Sequence, residues 1–336
     1  MPKIRFTGTF SKSLVSFWTI NKIAMQTYLR HARRQKIAHD WDANTEIGIR
    51  FWRHQFTKAM THANIETGRE IFNSLQTETD DQYPVPTEIC EDCPGTWYRP
   101  QNAMPEANIL YFHGGGYSFH GPISERFAAM LSHHTNAQLF AARYRLTPEH
   151  PHPAQEEDAL RAWQYLSNKV GAKNIVIMGD SAGGHMALML LQQLQRLGLE
   201  QPRLCIALCP WTDIGDRGNS LHENDHYDLV QGWMALKFGK WLDPNGIYGR
   251  EALSPIYQDY SGLAPIYIQT GGREILHDMI CEFVDVQTDK GAQIKLDIFD
   301  DMPHNFQVYD SMKSSSQKAL KAIRLAVQSA FSSDEK

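Results

Sequence analysis

Along the first 85 residues the apolar positions recur at helical spacing. Trp18, Met25 and Leu29 come first, then Ile47, Phe51, Phe56 and Met60, then Ile71, Phe72 and Leu75. Such spacing predicts amphipathic helices. The pattern changes at Tyr83-Pro84-Val85-Pro86, beyond which residues 88–98 read as two short strands around the turn Cys93-Pro94-Gly95. From there short apolar runs alternate with helical ones. Strands are expected at 108–112, 138–142, 175–180, 204–209, 266–269 and 294–299, and helices at 124–134, around Ala159, Leu160, Trp163 and Leu166, from the 180s to about 197, at 276–287 and at 316–331. This alternation predicts an α/β fold, a mainly parallel eight-stranded sheet with helices on both faces. There is no internal repeat and no low-complexity segment.

Composition adds that the chain folds into a substantial core: 336 residues, 42% of them hydrophobic, suit one large domain with an accessory piece. Five cysteines, Cys90, Cys93, Cys205, Cys209 and Cys281, are too few and odd in number for a disulfide framework, which favours a reducing, cytoplasmic setting. Cys90 and Cys93 have C-x-x-C spacing, but no second pair or nearby His completes a zinc site, so no metal is expected. The net charge of −5 hides an asymmetry, because Lys3, Arg5, Lys12, Lys22, Arg30, Arg33, Arg34 and Lys36 all precede Asp40, the first acidic residue. The apolar run Leu14, Val15, Phe17, Trp18 and Ile20 stops at Asn21, far short of the roughly 18 residues of a membrane span. No small-residue cleavage signal follows it. A basic amphipathic segment suits an anionic membrane surface, but the favoured expectation is that these helices pack their apolar face on the main domain. Neither G-x-x-x-x-G-K-[ST] nor G-x-G-x-x-G is completed, and no nucleic-acid partner is expected.

Chemistry concentrates at the expected strand ends. Ile175-Val-Ile-Met-Gly-Asp-Ser-Ala-Gly-Gly-His185 joins a strand to a helix through Gly179-Asp-Ser-Ala-Gly183, the pattern of a nucleophile elbow. The serine of such an elbow sits on a sharp turn at a helix N-terminus, which selects Ser181 as nucleophile and the Ala182 amide as a donor to developing negative charge. Serine chemistry then needs a base and a carboxylate, in this architecture in the order serine, acid, histidine. His304 follows the last strand. After the strand at 266–269 come Glu274 and Asp278. Glu274 lies nearer the strand end and is favoured as the acid, while Asp278, a turn further on, is better placed to cap or orient a loop and stays the alternative. Asp300 and Asp301 rank lower, since adjacency to His304 in sequence does not put a carboxylate behind its ring. His113-Gly-Gly-Gly116 ends another strand, and its Gly114 and Gly115 amides, with Ala182, are the expected oxyanion donors.

Taken together, His113 to Gly116, Tyr144-Arg-Leu-Thr-Pro-Glu-His-Pro-His-Pro153, Gly179 to Gly184 and His304-Asn-Phe306 resemble the hormone-sensitive-lipase-like group of α/β-hydrolases, in its bacterial GDSAG esterases. The resemblance spans roughly residues 85–330. It implies an α/β-hydrolase fold, with Ser181 as nucleophile, His304 as base and Gly114, Gly115 and Ala182 as oxyanion hole. It also implies a helical cap from residues 1–85 and about 211–250 on a catalytic domain of residues 86–336. The family's acid is an aspartate four residues before a second one, whereas Glu274 stands before Asp278 here. Tyr117, Trp211, Tyr227, Trp233 and Phe238 are candidates to line a substrate pocket, with core packing as the competing role. The implied activity is a carboxylesterase for short- to medium-chain esters of small molecules, with no cofactor and a homodimer formed through the sheet edge. The alternatives are an amide hydrolase of arylformamidase type and a non-catalytic receptor resembling the plant gibberellin receptors, which lack the histidine that His304 supplies.

Overall fold

The computed structural model describes residues 4–6, 9–77, 83–309 and 314–332. The basic residue Lys3 lies outside the described residues. In chain order the elements are β1 (Ile4–Phe6), α1 (Phe10–Ala32), α2 (Ala43–Thr61), α3 (Ile65–Phe72), β2 (Leu75–Thr77), β3 (Thr87–Cys90), β4 (Gly95–Tyr98), β5 (Asn108–Phe112), α4 (Pro122–Thr135), β6 (Gln138–Ala142), α5 (Ala154–Val170), β7 (Ile175–Asp180), α6 (Ala182–Arg196), β8 (Leu204–Leu208), α7 (Ser220–Glu223), α8 (Gly232–Leu242), β9 (Ile266–Gly271), α9 (His277–Asp289), β10 (Ile294–Phe299) and α10 (Ser314–Ser332).

Eight strands form one sheet in the order β10-β9-β8-β7-β5-β6-β4-β3. It is parallel from β10 to β6 and antiparallel at β4 and β3. The central strands are wholly buried, which is why their sequences are unbroken apolar runs. Alternate residues serve opposite faces. Ile175 and Ile177 of β7 pack with Leu188, Leu191 and Trp163 of α6 and α5, while Val176 and Met178 pack with Met130, Leu131, Leu320 and Ile323 of α4 and α10.

Two stretches depart from their periodicity. Leu75 belongs to a strand, since β2 pairs antiparallel with β1 as Leu75↔Phe6. In α1 the apolar positions face outward: Phe10 is 84% exposed, Trp18 65% and Met25 61%, and Leu29 is exposed as well. Leu14, Val15, Phe17 and Trp18 therefore do not pack on the main domain, whereas Ile20 lies partly buried against Ile23 and Phe51. The helix turns in a mixed stripe instead, where the Ser16 and Ser74 hydroxyls hydrogen-bond at 2.5 Å, Arg50 Nη1 donates to Thr27 Oγ1 at 2.6 Å and Ile23 meets Phe51. Gln55 Nε2 completes this contact through Ser16 and Ser74.

Helices α2 and α3 and the segment between β8 and β9 meet above the strand ends. Arg53 of α2 donates to the Asp225 carboxylate at 2.6 Å and to the Asp228 carbonyl at 3.0 Å, and Gln231 Nε2 donates to Thr57 Oγ1 at 2.6 Å. The chain before α2 closes on the β10–α10 loop, where Trp41 Nε1 donates to the Asp301 carbonyl at 2.6 Å.

The tightest steric constraint among the described glycines lies where β7 enters α6. A Cβ on Gly183 would stand 2.0 Å from the Phe112 carbonyl oxygen of β5, and that backbone has nowhere to go. Gly183→Ala is therefore expected to cost about 3 kcal/mol or more. A urea denaturation midpoint equal to the wild-type value would show that α6 can move away from β5.

Candidate active site

Ser181 sits between β7 and α6 with φ +55° and ψ −119°, a left-handed region that a side-chain-bearing residue occupies at a cost. Its amide donates to the Leu208 carbonyl of β8 at 2.8 Å, and its carbonyl accepts from His185. As N-cap of α6 it makes no side-chain capping bond, so Oγ is left for other partners. Ala182 opens the helix, where an amide has no acceptor one turn back.

His304 and Glu274 come from the loops after β10 and β9 and are both buried. His304 Nδ1 and Glu274 Oε2 are 2.6 Å apart. The other oxygen, Oε1, accepts from Thr270 Oγ1 at 2.5 Å and from the Gly271 amide at 2.8 Å, so the extra methylene of glutamate leaves the carboxylate fully held. Burial pushes the His304 imidazole down, but the hydrogen bond and charge of Glu274, with the charges of Asp228 and Asp180, outweigh it and hold the ring above its ordinary value. Asp278 is occupied elsewhere, its Oδ2 accepting from the Ser220 amide at 2.9 Å. Asp301 accepts from Ser315, and neither it nor Asp300 is among the partners of the His304 ring. Ser181 and His304 line the same cavity, and no hydrogen bond joins them among the described residues.

Cys209 Sγ also lies beside this pair, within 4.8 Å of ligand atoms of Glu274 and His304. Burial and the Glu274 charge push its thiol far up, so it is neutral, while the other two atoms are engaged with each other. The donor set is that of a hydrogen-bonded network.

The glycine loop corrects one expectation. The Gly114 amide is directed to Asp180 Oδ1 at 2.9 Å and is spent there. Gly115 at φ +100° and Gly116 at φ +60° turn the chain through conformations that favour glycine, and their amides have no acceptor among the described residues while both residues line the cavity. The free donors near Ser181 are therefore those of Gly115, Gly116 and Ala182. His113 is a support beneath them: it stacks on Tyr144 at 4.2 Å, and burial holds its imidazole well below the ordinary value, in the neutral form.

Two residues that the sequence pattern did not single out hold the site together. Asp180, the buried end of β7, accepts from Tyr111 Oη at 2.5 Å, the Gly114 amide at 2.9 Å and Asn305 Nδ2 at 2.7 Å. Burial raises its carboxyl above the ordinary value, and these donors, with the His304 charge, pull it back. Asp228 accepts from the amides of Leu229, Ile275 and His304 at 2.6, 2.8 and 3.3 Å, and is pushed up to about 6, foremost by burial. A carboxylate ending an otherwise apolar strand is a signal that could have marked Asp180; Asp228, in an insertion without periodicity, offers none.

The cavity beside Ser181 encloses about 1000 Å³ including its mouth. Its wall is aromatic, with Trp52, Phe56 and Phe72 from α2 and α3 facing Phe119, Trp211 and Phe238. Three of the expected pocket residues stand elsewhere. Tyr117 is buried, with its Oη 2.6 Å from His185 Nδ1, while His185 Nε2 contacts the Leu253 carbonyl at 2.7 Å. Tyr227 packs edge-on to Trp41 and under the Arg273 guanidinium. Trp233 is 39% exposed, with its indole N–H on Gln231.

A family model described as alpha/beta hydrolase fold matches residues 109–308. An acetyl-hydrolase of Streptomyces hygroscopicus is 29% identical over 237 residues, 68% of this chain and 77% of that protein. An esterase of Acinetobacter venetianus is 28% identical over 294 residues, 81% of this chain and 95% of the relative. Among solved structures, a hormone-sensitive lipase from a metagenome library superposes with a TM-score of 0.72 at 26% identity, covering 84% of this chain and 98% of that one. An esterase of the bacterial hormone-sensitive lipase family gives 0.71 at 22% identity, over 97% and 100%, a likeness of fold.

Asp180→Ala would leave two buried donors, on Tyr111 and Gly114, and a half-buried one, on Asn305, without their acceptor. A loss of about 3 kcal/mol or more is expected, measured by urea denaturation; a loss under about 1 kcal/mol would mean that these donors find other partners.

Proposed function

The chain belongs to the α/β-hydrolase family, in its hormone-sensitive-lipase-like group of bacterial esterases, and from that membership we propose a Ser181-His304-Glu274 mechanism for it. It is a carboxylic ester hydrolase. The observation that carries the mechanism is the 2.6 Å contact between His304 Nδ1 and a Glu274 carboxylate whose other oxygen is already fixed by Thr270 and Gly271. With Nδ1 so engaged, the ring keeps its proton there and leaves Nε2 to take the Ser181 proton.

Ser181 Oγ then forms a bond to the ester carbonyl carbon as its proton passes to His304. The carbonyl oxygen becomes an oxyanion, received by the amides of Gly115, Gly116 and Ala182. Collapse breaks the bond to the alcohol oxygen, which leaves with the proton from His304. Water, deprotonated by the same nitrogen, releases the acid from Ser181. The imidazolium formed at each stage is matched by Glu274 and, further off, by Asp228 and Asp180.

The aromatic wall, in a lining that is uncharged apart from Asp180 and His304, favours neutral acyl groups of short to medium length. A rate series on p-nitrophenyl esters of rising chain length is expected to peak within that range. Ser181→Ala should lower kcat by at least about 10⁴-fold without changing the melting temperature, and a fully active Ser181→Ala protein ends the proposal. Faster turnover of N-formylkynurenine than of every ester would move the reading to amide hydrolysis.

The base works only when neutral, so kcat/KM must fall on the acid side as His304 gains a proton. Because that group is held above its ordinary value, the acid limb is expected above the usual imidazole range. Glu274→Gln removes the charge that raises it and should shift the limb to lower pH. A limb that stays in place would assign it to another group.

A further inference from the structure

An exposed helix ordinarily turns its apolar stripe inward, and α1 does the reverse. At 100° per residue, Phe10, Leu14, Phe17, Trp18, Met25 and Leu29 fall within one third of the helix circumference, and all are exposed, while buried Ser16 and Thr27 lie on the other side. The inward groups are satisfied by Ser74, Gln55 and Arg50, so the helix is not seated with the wrong face down. Lys22 borders the stripe, and Arg33 and Arg34 follow its C-terminal end. None of these three forms an ion pair among the described residues, whereas Lys12 and Arg30 are engaged by Glu70 and Glu46. Eight of the chain's 33 Lys and Arg precede its first acidic residue, in a protein of net charge −5.

We propose that this face of α1 seats the protein on an anionic lipid surface. The helix lies along the surface, with Phe10, Leu14, Trp18 and Met25 at the boundary between headgroups and acyl chains and Lys22, Arg33 and Arg34 against lipid phosphates. Tryptophan and tyrosine favour that boundary, and Trp18 and Tyr28 both point there. No described helix is long and apolar enough to cross a membrane, which is consistent with a helix that lies on the surface. Charge selects the occupant. A second copy meeting this face by two-fold symmetry would bring two unneutralised basic segments together, whereas an anionic bilayer neutralises them and absorbs the apolar stripe. Through Ile23 and Phe51, α1 packs on α2, the helix that carries Trp52 and Phe56 into the cavity wall. The inner side of α1 thus adjoins the helix that roofs the cavity, and the docked face lies on the far side of α1.

The experiment is co-sedimentation of the full chain with vesicles of phosphatidylcholine mixed with phosphatidylglycerol, and with vesicles of phosphatidylcholine alone. Binding to the mixed vesicles that weakens as salt rises is expected. Leu14→Glu/Trp18→Glu should reduce the partition coefficient at least about tenfold, and Lys22→Ala/Arg33→Ala roughly thirtyfold. Circular dichroism and the melting temperature identify a variant that fails to fold, and the two doubles change different residues, so one folded double suffices. Equal binding to neutral and anionic vesicles, no binding to either, or a folded double that binds as the wild type does would overturn the proposal. So would a dimer in solution that Leu14→Glu/Trp18→Glu converts to monomer, since the face would then belong to a second copy.

Discussion

A buried carboxylate at the end of the central strand governs how the site is assembled. Asp180 leaves β7 beside the nucleophile and accepts hydrogen bonds from Tyr111 of β5, from the Gly114 amide in the loop that follows β5, and from Asn305, the residue after His304. One side chain thus fixes the distances among the elbow, the glycine loop and the histidine loop, three segments distant in sequence. The carboxylate is tolerable in an apolar sheet because each oxygen has a donor; without them it would be a bare charge in a low-dielectric interior. The same bonds explain the placement of the free amides. Gly114 is directed inward, and the chain must then turn at Gly115 and Gly116 towards the cavity.

Three carboxylates, Asp180, Asp228 and Glu274, surround one imidazole, and their roles differ by partner. Glu274 meets the ring itself, Asp228 meets the backbone on both sides of the pair at Ile275 and His304, and Asp180 meets the neighbouring Asn305. Burial opposes charge on Asp180 and Asp228, yet the summed field of the three keeps His304 easier to protonate than a free imidazole despite its own burial. A site prepared in this way needs little reorganisation when positive charge forms on the ring.

The segments above the sheet have two kinds of surface. Helices α2 and α3 and the chain around Phe238 turn aromatic side chains into the cavity, while α1, held to α2 by a mostly polar seam, keeps its aromatic side chains outside. Hydrophobic periodicity is the same in both cases. It reports that a helix has an apolar stripe, not which way the stripe faces.

Local chemistry made much of this protein readable from the chain alone. The buried strands are continuous apolar runs, the elbow needs glycine where Gly183 meets the Phe112 carbonyl, and the order of Ser181, an acid and His304 follows from the order of strand ends. These are constraints that a few neighbouring residues satisfy among themselves. Only the tertiary structure decided that Glu274 and not Asp278 faces His304, that Gly114 is spent on Asp180, that Tyr117 and Tyr227 lie away from the cavity, and that α1 faces outward. Each depends on the direction of a side chain or amide relative to a segment tens or hundreds of residues away, and that direction is set by packing and hydrogen-bond partners that sequence spacing does not contain.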